Sequence, residues 1–151
     1  MAGIFVPGAI SHRPVVMVVE DDVEMNELQR ELLAVHGLDT VAAYTGVEAL
    51  EVFSHQHADA VLLDIMLPEM DGFECCQQLK HRNGQKLPVV IVTALDSEDC
   101  RRRGFEAGAD GYFVKPFDPD EVVDAIRHLI DEAGDENDAR QREGPSSDRR
   151  A

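Results

Sequence analysis

Glu20, Asp21 and Asp22 follow the apolar run Val15–Val19, Asp64 follows Ala60–Leu63, Thr93 follows Pro88–Val92, and Lys115 follows Tyr112–Val114. Three ionised carboxylates from Glu20, Asp21 and Asp64 in one crevice would repel at about 4 kcal/mol per close pair, at an effective dielectric of about 20. Either one of them keeps a proton or a cation sits among them. Few, hard carboxylate oxygens suit Mg²⁺, with waters and a phosphate oxygen completing the octahedron. Lys115 adds an ammonium and Thr93 a small hydroxyl donor. Together these groups describe a phosphoryl-transfer site. A carboxylate acting there as nucleophile forms an acyl phosphate.

Such side chains converge only if the apolar runs are neighbouring strands. The pattern between them is helical. Met25, Leu28, Leu32 and Val35 recur at helical spacing over 23–36, and Gly37 supplies a stop. Thr40–Tyr44 reads as a second strand, and Thr45 with Glu48 as a capping box opening a helix to about Ser54. Asp71 and Glu74 have cap spacing before Phe73–Lys80, with Asn83-Gly84 ending that helix. Asp96 or Ser97 caps a helix to about Ala107, which Gly108 stops. Asp118 caps the last helix, with Pro119 in its first turn and Val122, Ile126, Leu129 and Ile130 inward to about Glu132.

Five apolar strands strictly alternating with five amphipathic helices predict an α/β fold: a doubly wound, five-stranded parallel sheet, (βα)5, covered on both faces. In such folds the site lies at the carboxyl ends of the strands. The six residues above occupy those ends.

Composition narrows the function classes. The chain has 151 residues, with 14 basic against 30 acidic and a net charge of −16, which excludes a compact basic nucleic-acid binder. The same charge disfavours an anionic membrane surface. Aromatics are only 5 % with no Trp, too few for base-stacking platforms or for shielding a flavin. Cys75, Cys76 and Cys100 are odd in number and lack Cys-x-x-Cys spacing, so no disulfide or zinc framework follows. They read as reduced thiols, with Cys75 and Cys76 in packing. His55-x-His57 reads as a solvated loop, and Arg101, Arg102 and Arg103 as a solvated helix face. Asp22 reads mainly as an acid at a helix N-terminus. Residues 134–151 hold five acids and four arginines, so the acidic excess lies in the folded part.

Four blocks carry a resemblance: Val-Val-Met-Val-Val-Glu-Asp-Asp (15–22), Asp-Ala-Val-Leu-Leu-Asp-Ile-Met-Leu-Pro-Glu-Met-Asp-Gly (59–72), Pro-Val-Val-Ile-Val-Thr-Ala (88–94) and Gly-Ala-Asp-Gly-Tyr-Phe-Val-Lys-Pro-Phe (108–117). In this order and spacing the chain resembles the receiver domain of bacterial two-component response regulators, over roughly Arg13 to Glu132. The resemblance implies a flavodoxin-like strand order of 2-1-3-4-5. Composition reads 1–13 as a flexible arm and 133–151 as a disordered acidic and polar tail; the resemblance leaves a receiver over 14–132. It also implies a stand-alone receiver or one cut from a longer regulator, since 19 residues after Glu132 leave no room for an output domain.

By the same resemblance, Asp64 accepts a phosphoryl group from a sensor histidine kinase or a histidine phosphotransfer protein. Asp21, Asp64 and the main-chain carbonyl of Met66 ligate Mg²⁺, with Mn²⁺ as a substitute, and Glu20 helps through water. Thr93 bonds a phosphoryl oxygen and Lys115 pairs with it. Tyr112 is an aromatic switch turning inward as Thr93 moves. Pro68 and Gly72 shape the loop after Asp64, and Pro116 follows a cis peptide bond. Thr93 and Tyr112 then reshape the surface of the fourth helix, fifth strand and fifth helix for a downstream protein target, with a phosphorylation-dependent homodimer left open. The resemblance implies a cytoplasmic phosphorelay component that is no enzyme beyond its own phosphorylation and dephosphorylation, with no direct nucleic-acid or membrane contact. Met66 and Leu95 occupy positions that vary in the family and are apolar here, which implies slow dephosphorylation.

Other classes remain beside it. A haloacid-dehalogenase-like phosphatase also uses a strand-end Asp with Mg²⁺, but wants an acid where Met66 stands. A phosphorylation-independent interaction module would dispense with Asp64, Thr93 or Lys115, and all are present.

Overall fold

The computed structural model describes residues 13–82 and 86–150, and from 135 to 150 the backbone alone. Ten elements alternate: β1 (Val15–Val19), α1 (Val23–Val35), β2 (Asp39–Ala43), α2 (Gly46–His55), β3 (Ala60–Leu63), α3 (Gly72–Arg82), β4 (Val89–Thr93), α4 (Glu98–Glu106), β5 (Gly111–Val114) and α5 (Pro119–Arg150). The strands form one sheet in the order β2-β1-β3-β4-β5, every pairing parallel. The expected fold and strand order are both observed.

Alternation along each strand builds two cores. Met17, Val19, Val61, Leu63, Val89 and Ile91 face Ala49, Cys75, Cys76, Leu79 and Ala107 of the α2–α3–α4 side. Val16, Val18, Ala60, Leu62, Val90 and Val92 face Leu33, Val122, Val123 and Ile126 of α1 and α5. Strands buried on both faces read as unbroken apolar runs, which is why the sequence shows them so plainly. The caps also fall where the residue types predict. Asp22 accepts from the Met25 amide, Thr45 from Glu48, Asp71 from Glu74 and Ser97 from Cys100.

One reading is corrected. It concerns α1, whose buried residues are Asn26, Gln29 and Leu33. Leu28 and Val35 are exposed, Val35 at 82 %. The apolar periodicity points to the wrong stripe because two polar side chains occupy the inward positions. Asn26 is buried with its amide against the backbone carbonyls of Val18, Glu20 and Ala43, so its polar end is paired inside the core.

The backbone of α5 runs to Arg150, past the helix end expected near Glu132. The arm expected over 1–13 and the helix stop at Asn83-Gly84 fall outside the described residues, except Arg13, which donates to the Gly37 and Ala34 carbonyls.

His36 ties the end of α1 to α5. Its Nδ1 lies 2.8 Å from the Leu32 carbonyl and its Nε2 3.0 Å from Asp120 Oδ1. Only the imidazolium can donate to both. The Leu32 hydrogen bond, then the Asp120 hydrogen bond, raise the His36 pKa above its ordinary 6.5. A histidine raised in the folded state adds stability that is full below its ordinary value and lost as pH rises through the raised one. Chemical denaturation between pH 6 and pH 8, ~1 unit either side of neutral, is therefore expected to show stability falling with pH. His36→Gln should flatten that slope, and an unchanged slope would contradict the assignment.

Candidate functional site

The site forms at the carboxyl ends of four strands. Asp64 follows β3, its amide bonded to the Val19 carbonyl at 3.0 Å. Lys115 follows β5, its amide bonded to the Thr93 carbonyl at 2.8 Å. The ladders thus bring residues far apart in sequence to one crevice. Lys115 Nζ donates to Asp64 Oδ2 at 2.9 Å and to Glu20 Oε1 at 2.6 Å. The other oxygen of Asp64 accepts from the Met66 amide at 3.0 Å, and the other oxygen of Glu20 from Asp22 at 3.2 Å. Glu20, Asp64 and Thr93 are all buried. The peptide bond between Lys115 and Pro116 is cis, as expected.

One ammonium serves two carboxylates, so the crevice keeps a negative excess. Burial pushes the Glu20 carboxyl above its ordinary value, and the Lys115 hydrogen bond only partly opposes this. Burial works against the charged Lys115, but hydrogen bonds to Glu20 and Asp64 outweigh it and raise its pKa. Asp21 stands at the same strand end but is exposed. Among the described residues no three His, Cys, Asp or Glu side chains are gathered as a ready metal site. The donor set is nonetheless all oxygen, and the uncompensated carboxylate is what a hard divalent cation would offset. In chemistry, if not in gathered geometry, these residues fit Mg²⁺.

The loop after Asp64 is tightly shaped. Gly72 donates its amide to the Ile65 carbonyl at 3.0 Å. A Cβ on Gly72 would lie 2.2 Å from Ile65 Cα and 2.8 Å from the Asp64 carbonyl oxygen. Pro68 accepts from the Met70 amide at 2.7 Å across Glu69, whose φ is 72°. This is a three-residue turn with a non-glycine residue in the left-handed region, a strained local conformation.

Thr93 Oγ1 makes one long contact, 3.4 Å, from the Leu95 amide. The Leu95 carbonyl in turn accepts from the Tyr112 hydroxyl at 2.8 Å. Tyr112 is 9 % exposed, so its ring already lies inward. Gly104 makes room for it, since a Cβ there would meet Tyr112 Cδ2 at 3.1 Å.

A family model described as the response regulator receiver domain matches residues 16–127. The chain belongs to that family. This receiver is 40 % identical over 124 residues to a response regulator, MprA, of Mycobacterium avium (strain 104), covering 82 % of this chain and 54 % of the relative. The chain thus spans about half the length of the curated relatives it matches. Among solved structures, it resembles a CheY-like receiver domain protein from Methanospirillum hungatei JF-1 at 26 % identity and TM-score 0.77, covering 82 % of this chain and 98 % of that one. It also resembles the Francisella response regulator 1452 receiver domain at 32 % identity and TM-score 0.74, covering 80 % and 98 %. It is a response regulator receiver domain of two-component systems, and that family is one of signalling switches. Among the described residues no helix of the receiver is long and apolar enough to cross a membrane.

Sequence reasoning missed Asn26 in this receiver. Its amide nitrogen lies 3.1 Å from each of the Val18, Glu20 and Ala43 carbonyls, so its two N–H groups are shared among three acceptors. It thereby fixes the backbone that presents Glu20. The apolar spacing of α1 marks another stripe, so nothing in the sequence singled Asn26 out. Cys75 and Cys76 are packed in the core: burial above all pushes their thiols up to about 12, so neither ionises at neutral pH. His55 and His57 are exposed, His57 bonded to Asp59 at 2.7 Å.

Proposed function

We propose that this receiver is a phospho-accepting switch with Asp64 as the acceptor. The observation that carries the reading is Lys115 Nζ held by both Asp64 and Glu20. A carboxylate oxygen of Asp64 forms the new O–P bond. The donor's bond to phosphorus breaks, and its electron pair leaves with a histidine imidazole of the kinase or phosphotransfer protein. Asp21, Asp64 and the Met66 carbonyl would hold Mg²⁺, with Glu20 assisting through water. Bound there, the ion would neutralise charge on the phosphoryl oxygens.

Lys115 exchanges a carboxylate for the phosphoryl group, which carries more charge and three acceptor oxygens. Thr93 gives up its long contact with Leu95 and donates to a phosphoryl oxygen. Leu95 and Tyr112 adjust, and the α4–β5–α5 surface changes population between two states. That surface presents Phe105, 51 % exposed, beside Arg101 and Arg102. A downstream protein, or a second phosphorylated copy, docks there. The setting is a cytoplasmic phosphorelay fed by a histidine kinase.

The test adds acetyl phosphate with Mg²⁺ and reads intact mass. One phosphoryl adduct is expected, absent in Asp64→Asn and after EDTA. A wild-type chain that takes no adduct, and whose Thr93 and Tyr112 resonances ignore beryllofluoride, would leave an interaction module independent of phosphorylation.

The adduct should also last. Met66, two residues after Asp64, is 55 % exposed and Leu95, two after Thr93, is half-buried, and neither side chain can orient an attacking water. Met66→Asn with Leu95→Glu is expected to shorten the phosphoryl lifetime about tenfold or more, by supplying polar groups that position water. Decay of radiolabelled protein measures it, and equal decay in both proteins would refute it.

A further inference from the structure

Four residues beside the site close a circuit. Leu95 and Asp96 are joined by a peptide bond. Asp96 Oδ1 accepts from Arg101 Nη2 at 2.7 Å. The Arg101 guanidinium carbon lies 5.4 Å from the centre of the Tyr112 ring. The Tyr112 hydroxyl returns to the Leu95 carbonyl at 2.8 Å. The neighbouring arginines lie outside it: Arg102 pairs with Asp99 and Glu106, and Arg103 lies over Phe73.

The circuit acts on the reacting centre through Leu95. Its amide makes the only side-chain hydrogen bond of Thr93 among the described residues, and that bond is long at 3.4 Å. With the Leu95 carbonyl held toward Tyr112, this weak contact is all that Thr93 must release. We propose that Arg101 is a positioning residue of the phospho-switch: bound to Asp96 and laid over Tyr112, it holds the loop after Thr93 and the inward ring as one unit, poised before any phosphoryl group arrives. This rests on the phospho-acceptor reading above.

The physics favours a modest, measurable bias. An exposed cation over an aromatic ring and an exposed ion pair are each small contributions. When only a fraction of molecules is poised, apparent ligand affinity falls by that fraction. Loss of the circuit should therefore weaken apparent beryllofluoride affinity about threefold.

The chain has two tyrosines and no Trp. In a Tyr44→Phe background, near-ultraviolet circular dichroism around the tyrosine band reports Tyr112 alone, without Mg²⁺ or beryllofluoride. Arg101→Gln is expected to reduce that band, Arg101→Lys to retain more of it, and Asp96→Asn to fall between Arg101→Gln and wild type. Arg101 is exposed, so far-ultraviolet spectra should be unchanged. Burial raises the Tyr112 phenol and Arg101 pulls it back down. Absorbance titration of Arg101→Gln should therefore place the phenolate transition at higher pH. Beryllofluoride titration with Mg²⁺ then reads the expected threefold weakening, partly rescued in Arg101→Lys. An unchanged tyrosine band in Arg101→Gln overturns the positioning role while leaving the phospho-acceptor reading intact. So does a lost band with unchanged beryllofluoride affinity. A wild-type chain that never responds to beryllofluoride overturns the phospho-acceptor reading, and this inference with it.

Discussion

Gly72→Ala is expected to lower the thermal midpoint by about 10 °C, the loss of about 3 kcal/mol in a domain of this size. A methyl group at that position meets backbone on both contacts: 2.2 Å to Ile65 Cα and 2.8 Å to the Asp64 carbonyl oxygen. No side-chain rotamer can relieve such contacts. The start of α3 must retreat from the loop that carries Asp64, breaking the Gly72 to Ile65 hydrogen bond at 3.0 Å. The same retreat displaces the Asp64 carboxylate from Lys115, so phosphoryl acceptance from acetyl phosphate should slow as well. Differential scanning calorimetry and the mass assay read the two effects. A midpoint within about 3 °C of wild type, roughly 1 kcal/mol, would falsify the close-approach argument.

The second large effect belongs to Lys115→Met. Methionine fills much of the same volume but leaves Glu20 and Asp64, both buried, without the ammonium they share. Removing one partner from a buried ion pair typically costs about 3–5 kcal/mol, because the remaining charge is left uncompensated. Lys115 is partly open to solvent, with 20 % of its side chain exposed, so the lower end of that range applies, about 3 kcal/mol. Urea denaturation at neutral pH in EDTA measures it. The companion variant Glu20→Gln with Lys115→Met removes one stranded charge and should recover part of the loss. If the double variant is no more stable than Lys115→Met, the charge argument is wrong. In the mass assay Lys115→Met should accept phosphoryl groups poorly or not at all.

The two variants mark different degrees of legibility. Lys115 could be picked out from sequence because it ends an apolar run, as Asp64 and Thr93 do. Parallel strands align their carboxyl ends, so strand-end position alone nearly places these residues in one crevice. Gly72 could be named as a loop-shaping residue only through resemblance, and nothing in its neighbours' types shows that backbone lies 2.2 Å away. Asn26 was invisible for the opposite reason. Its burial contradicts its polarity, and only the three carbonyls it meets explain it. The face of α1 was misread because apolar spacing was the whole signal, and Val35 and Leu28 fit that spacing while facing solvent.

By itself the sequence determined the alternation of strands and helices, the caps, and the strand-end residues at the site. These are local or periodic properties, written in neighbouring side chains. The tertiary structure decided that Lys115 bridges Glu20 and Asp64 while Asp21 stays exposed, that Tyr112 already lies inward, and that Arg101 rather than Arg102 or Arg103 reaches its ring. Each of these depends on distances between atoms far apart in sequence, which no short window of residue types encodes.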